Sequence, residues 1–129
     1  MDLKAIYISH QHADHQIGTI NLILAREQAF RKAGKSVENL FIIVTGKYAE
    51  YLVTYHRKIQ SVLSHAQLVK CEDLIFHTQK DEYMMSIPGD KVQLINPTLL
   101  QSLLSATGLK ELETCRAVHC AHAFCLAFR

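Results

Sequence analysis

The sequence has no apolar run long enough to cross a membrane, so it offers no candidate transmembrane helix. It also lacks the basic, apolar and small-residue succession of a targeting leader. Its first residues, MDLKAIYISH, read as entering a strand at once. Cysteine is sparse. Cys71, Cys115, Cys120 and Cys125 form neither the dense pattern of a small secreted scaffold nor a zinc-ribbon spacing, and are read as reduced thiols. Charge of one sign is scarce as well: 14 Lys and Arg stand against 12 Asp and Glu, a net charge of +2. No strong basic field surrounds such a chain, and a nucleic-acid partner would have to use a local patch. No internal repeat, low-complexity stretch or linker breaks the 129 residues, which leaves one domain at most. With 49% hydrophobic and 20% charged residues, that domain is globular, with a modest core.

The apolar pattern lays out an α/β chain. Residues 3 to 8 read as a buried strand. A helix is expected from Gln16 to Ala33, burying Ile17, Ile20 and Leu24 with Ile23 and Phe30 alongside, and capped by Gly34. Arg26, Arg31, Lys32 and Lys35 on it are read as a solvated face, the alternative being phosphate contact. Leu40 to Val44, LFIIV, reads as a strand covered on both faces. The helix from Lys47 to about Ser64 repeats Tyr48, Leu52, Tyr55, Ile59 and Val62 at steps of three and four. His56 and His65 are read there as surface or helix-end histidines. The stretch from Ala66 to Ile95 reads as a few short strands or an insertion, with Met84-Met85 as core filling and a turn at Pro88-Gly89-Asp90. Asn96-Pro97 should open a helix that Gly108 closes, with Leu99, Leu100, Leu103 and Leu104 as its buried stripe. Glu111 to Val118 and Ala123 to Phe128 read as strands joined by a His119-Cys120-Ala121-His122 turn.

The stretch around which the chain is organised is SHQHADHQIG, residues 9 to 18. His10, His12, Asp14 and His15 fall within six positions, after an apolar strand and before a helix. Histidines two apart leave an extended chain on the same side and can grip one ion. Asp14 and His15 follow where the chain turns, and can face a second. Imidazole and carboxylate suit Zn²⁺ where no thiolate is offered. A polar loop merely rich in histidine is the other reading, but four potential ligands packed this tightly after a buried strand rarely serve packing. The strand's C-terminal end is also where open α/β sheets place their chemistry.

The stretch resembles the His-x-His-x-Asp-His signature of the metallo-β-lactamase superfamily. With Ala13 before the aspartate and Gly18 after the last histidine, it looks like ribonuclease Z, the zinc endonuclease that removes the 3′ trailer from precursor tRNA. A second block, TCRAVHCAHAF from Thr114 to Phe124, is similar to the corresponding block of the long, eukaryotic form. So are AREQAFRKAGK and PTLLQSLLSATGLKELETC. The resemblance implies an incomplete αβ/βα sandwich over residues 1–129, lacking the family's upstream strands and downstream metal-binding motifs. It implies that His10, His12 and His119 hold one zinc, and that Asp14 and His15 are ligands of a second, with Asp14 also orienting or deprotonating the attacking water. The family block places the ligand before the cysteine, which selects His119 over His122. Cys120 is then read as a small buried residue beside the ligand.

Two zinc ions belong to the complete family site, and one at best is expected here. The implied partner is precursor tRNA and the implied compartments are nucleus and mitochondrion. Departures from the family bear on activity. Cys125 stands where the family has glycine, and no Ser-Gly-Asp-Thr strand is present. The expectation is a zinc-dependent endoribonuclease piece, weak or inactive alone. The alternatives are a non-catalytic zinc-binding module and another hydrolase of the same fold. Unpaired strand edges would favour self-association.

Overall fold

The computed structural model describes residues 2–76 and 94–129. The expected Met84-Met85 packing, the Pro88-Gly89-Asp90 turn and His77 lie outside the described residues.

The centre is a parallel sheet of three strands in the order β1-β2-β3: β1 is Ala5–Tyr7, β2 Leu40–Val44 and β3 Ala66–Lys70. The register runs from Ala5 opposite Phe41 and from Leu40 opposite Ala66. All five residues of β2 are buried, as the uninterrupted apolar run requires. Alternation divides them between two cores. Leu40, Ile42 and Val44 join Ile8, Ile23, Tyr48, Ala49 and Leu52 on one face. Phe41 and Ile43 join Val69, Cys71, Leu74, Leu103, Leu112 and Phe124 on the other.

The first face is covered from two helices. After the single turn α1 (Ala13–Gln16) comes α2 (Thr19–Lys32), which leads from β1 to β2; α3 (Gly46–Lys58) leads from β2 to β3. The expected single helix from Gln16 is therefore broken before Thr19. The break turns Ile17 outward, to 78% exposure, instead of onto the buried face. Gly34 closes α2 with a left-handed φ of 65°, and the Lys35 N–H donates to the Phe30 carbonyl at 3.0 Å. Helix α3 stops at Lys58, short of the expected end, and Ile59 is exposed. His56 takes over there: its Nδ1 accepts from the Val62 and Leu63 N–H groups, both at 3.0 Å.

Arg26 corrects the reading of a solvated basic face. It is 1% exposed. Its Nε donates to the Leu3 carbonyl at 2.9 Å and its Nη1 to the Glu38 carbonyl at 2.8 Å. The guanidinium also lies over the Phe30 ring, 4.8 Å from the centroid. The residue ties the approach to β1 to the approach to β2.

The second face is covered by α4 (Pro97–Thr107) and a hairpin of β4 (Leu112–Arg116) and β5 (Phe124–Phe128). The Asn96 side chain caps α4 by accepting from the Thr98 and Leu99 N–H groups, and Gly108 ends it at φ 75°. Both ends match the sequence reading, because each depends on local chemistry alone. A short 3₁₀ turn, Cys71–Leu74, leads from β3 toward the hairpin. There Thr114 Oγ1 donates to the Cys71 carbonyl at 2.6 Å, and the Phe76 N–H donates to the Thr114 carbonyl.

Candidate metal centre

Two hydrogen bonds fasten the hairpin beside the end of β1. The Tyr7 hydroxyl donates to the Phe124 carbonyl at 2.5 Å, and the Phe124 N–H donates to the Ser9 carbonyl at 3.0 Å. They carry the turn between β4 and β5, with His119 on it, to the loop that follows β1. Residues more than a hundred positions apart thus share one site.

The loop is held from below. Gln16 Nε2 donates to the Gln11 carbonyl at 2.9 Å, and the Gln16 carbonyl accepts from Thr19 Oγ1 and from the Tyr48 hydroxyl of α3. His10 is buried at the strand's end, while His12 stands in extended backbone as the residue before α1. Asp14 and His15 lie on that one turn.

His10, His12 and His119 converge so that one ring nitrogen from each lies within 4.8 Å of the others. His10 Nε2 is 3.1 Å from His12 Nδ1, and His119 Nε2 is 3.3 Å from the same atom. A tetrahedral zinc with bonds of about 2.0–2.1 Å holds its ligand nitrogens roughly 3.3 Å apart. The two measured spacings therefore fit a shared zinc ion, and three neutral imidazoles are a donor set that zinc accepts. The other His10 ring nitrogen, Nδ1, lies 2.7 Å from Ser9 Oγ. That hydroxyl orients the ring and leaves Nε2 facing the cluster, the part an outer partner plays at a histidine metal site. Burial lowers the His10 pKa, and the neighbouring His15, His12 and His119 lower it further, against the opposing effect of Asp14. A histidine kept neutral offers its lone pair to a metal at neutral pH.

His15 stands beside this group, its ring centroid 4.2 Å from that of His10. The Asp14 side chain is 80% exposed, and its Oδ2 is 3.5 Å from His15 Nε2. Among the described residues, neither belongs to the converging group, which holds the three histidines alone. His122 turns elsewhere and lines a cavity of about 620 Å³ with Gly46, Lys70, Glu72 and Leu99. Cys120 is half-buried and outside the group. Sequence reasoning did not assign Ser9, Tyr48 or the Phe124 backbone. Adjacency to His10 was the only signal for Ser9, and the other two act through the fold.

No family model matches the chain. It is 34% identical over 122 residues to a zinc phosphodiesterase ELAC protein 2 of Gorilla gorilla gorilla, covering 95% of this chain and 13% of that protein. The Drosophila melanogaster protein named mitochondrial ribonuclease Z is 28% identical over the same share of this chain. Ribonuclease Z 1 of Schizosaccharomyces pombe is 27% identical. The crystal structure of a long-form RNase Z from yeast matches 98% of this chain and 18% of its own, with a TM-score of 0.75 at 19% identity. The chain thus spans about one seventh of the curated relatives that it matches. Over nearly its whole length, it is homologous to one segment of the ribonuclease Z family of phosphodiesterases, and its α/β fold is part of the metallo-β-lactamase fold which that family adopts.

Proposed function

We propose that this chain carries the zinc-binding part of an endoribonuclease that removes the 3′ trailer from precursor tRNA. The observation that carries the reading is the convergence of His10, His12 and His119, with two nitrogen spacings that fit a zinc ion. His10, His12 and His119 hold one zinc; Asp14 and His15 are the two donors left for a second. Residues 1–129 form part of a catalytic domain.

When bound, zinc supplies Lewis acidity toward a water and toward a phosphodiester oxygen. The chain's own groups do the rest. Ser9 fixes the tautomer and orientation of His10. The Asp14 carboxylate, exposed and two residues beyond His12, orients the attacking water and takes its proton. Attack in line with the scissile P–O bond leaves a 3′-hydroxyl on the tRNA.

A non-catalytic zinc-binding module is the second reading. The exposure of Asp14 and its place outside the histidine group favour it, since a second zinc on two donors is weakly held. On both readings, one zinc per chain is the expectation, and RNA cleavage by the 129 residues alone is weak or absent. The nucleus or the mitochondrion is the proposed compartment. Contact between copies of the chain through open strand edges is proposed too.

Zinc content of the purified chain, set against a His10→Ala, His12→Ala double variant, tests the site. About one zinc per parent chain and none in the variant is expected. No zinc in the parent would sink both readings. Robust zinc-dependent cleavage of precursor tRNA by the parent would overturn the expected inactivity and reject the non-catalytic module.

A further inference from the structure

The hairpin that delivers His119 also carries two cysteines face to face. In the antiparallel register of β4 and β5, Cys115 stands directly opposite Cys125. Glu111 and Arg129 exchange N–H to carbonyl bonds in both directions at 3.1 Å. Such pairs alternate along an antiparallel ladder, so Glu113 with Ala127 and Cys115 with Cys125 fall in the same class. Cα atoms in that class lie about 5.5 Å apart, inside the roughly 4.4–6.8 Å that a disulfide bridges. Directly opposed side chains leave a sheet on one face, so the two thiols are neighbours there. Cys125 is exposed and Cys115 half-buried, so small solutes reach the pair from the Cys125 side. Burial, together with the neighbouring Cys125, raises the Cys115 pKa.

We propose that Cys115 and Cys125 form a reversible dithiol–disulfide pair that reacts with low-molecular-weight disulfides of the glutathione class. The exposed Cys125 thiolate attacks one sulfur of the small disulfide. The small S–S bond breaks, one small thiol leaves, and a mixed disulfide remains on Cys125. Cys115 then gives its proton to solvent, and its sulfur attacks Cys125 Sγ. The protein S–S bond forms as the second small thiol departs. Two protein thiols are oxidised, and one small disulfide is reduced to two thiols. Opposed Cβ atoms here start about 5.5 Å apart, whereas a disulfide needs about 3.8 Å, so closure strains the ladder. Strained, exposed disulfides are the readily reduced ones, which makes this pair a reversible clasp across the base of the His119 turn.

The test uses the reduced 129-residue chain and oxidised glutathione near neutral pH, with no metal or RNA, so its outcome is separate from the zinc reading. Intact mass should fall by two hydrogens, about 2 Da, and a non-reducing peptide map should join Cys115 to Cys125. Dithiothreitol should restore both. In Cys115→Ser, which lacks the second thiol, a glutathione adduct should accumulate on Cys125. A persistent adduct on Cys125 of the parent, a cross-link made by Cys120, or no reaction at all would overturn the proposal.

Discussion

Arg26 shows how far a residue's surroundings can depart from its type. Its helical position made it one of a basic group, yet two backbone carbonyls and an aromatic face enclose it. Arg26→Met would fill similar space and leave the Leu3 and Glu38 carbonyls without those donors. A loss of about 2–3 kcal/mol in urea unfolding is expected, whereas Lys32→Met, on the exposed end of the same helix, should change little. Glu38 itself reports on pH. The hydrogen bond from Lys4, then the Lys4 charge, lowers its pKa, against a smaller opposing effect of burial. A carboxyl lowered in the folded state contributes stability above its unfolded pKa, which is lost as pH falls through the lowered folded value. Melting temperature measured across that acidic window should therefore fall less steeply in Glu38→Gln than in the parent. Ordinary surface charges elsewhere would give the variant no such difference.

Secondary elements were legible where their signals are local. Asn96, Pro97 and Gly108 delimit α4 in the structure as they do in the sequence. Asn96→Ala removes a side-chain acceptor from two N–H groups and should cost about 1 kcal/mol in chemical denaturation. Gly108→Ala meets a left-handed φ and should cost a similar amount, about 1 kcal/mol. The break between α1 and α2 was not legible. Ile17 fits the apolar period of the helix that follows, so periodicity absorbed it. The loop instead follows the bonds that Gln16 makes with Gln11, Thr19 and Tyr48, and Tyr48 lies on another helix. The end of α3 has a similar cause, since His56 captures the chain at Val62 and Leu63.

At the scale of the whole chain, the described residues form a parallel sheet with α2 and α3 on one face and α4 with the hairpin on the other. Among the described residues, β1 and β3 are the outer strands of the sheet ordered β1-β2-β3, and Ile17, Ile59, Val118 and Phe128 are exposed apolar side chains. Exposed edges and apolar groups favour association between copies. Sedimentation of the chain over a range of concentrations should show it; a monodisperse monomer at the highest would refute it. Zinc should stabilise the whole fold, because its proposed ligands join the β1 loop to the hairpin. With free zinc at 100 times its dissociation constant, the expected gain is about 2.7 kcal/mol, removed by a chelator. By itself, the sequence determined the α/β alternation, the buried central strand, the caps of α4 and the candidate ligands His10, His12, Asp14 and His15. These follow from short-range spacing and local hydrogen bonding. The family resemblance already grouped His119 with His10 and His12, but only the tertiary structure decided how the chain brings them within reach, that Asp14 stays exposed, and that Arg26 is buried. Each of these depends on contacts between distant segments, above all the Phe124 N–H on the Ser9 carbonyl, which no local pattern encodes.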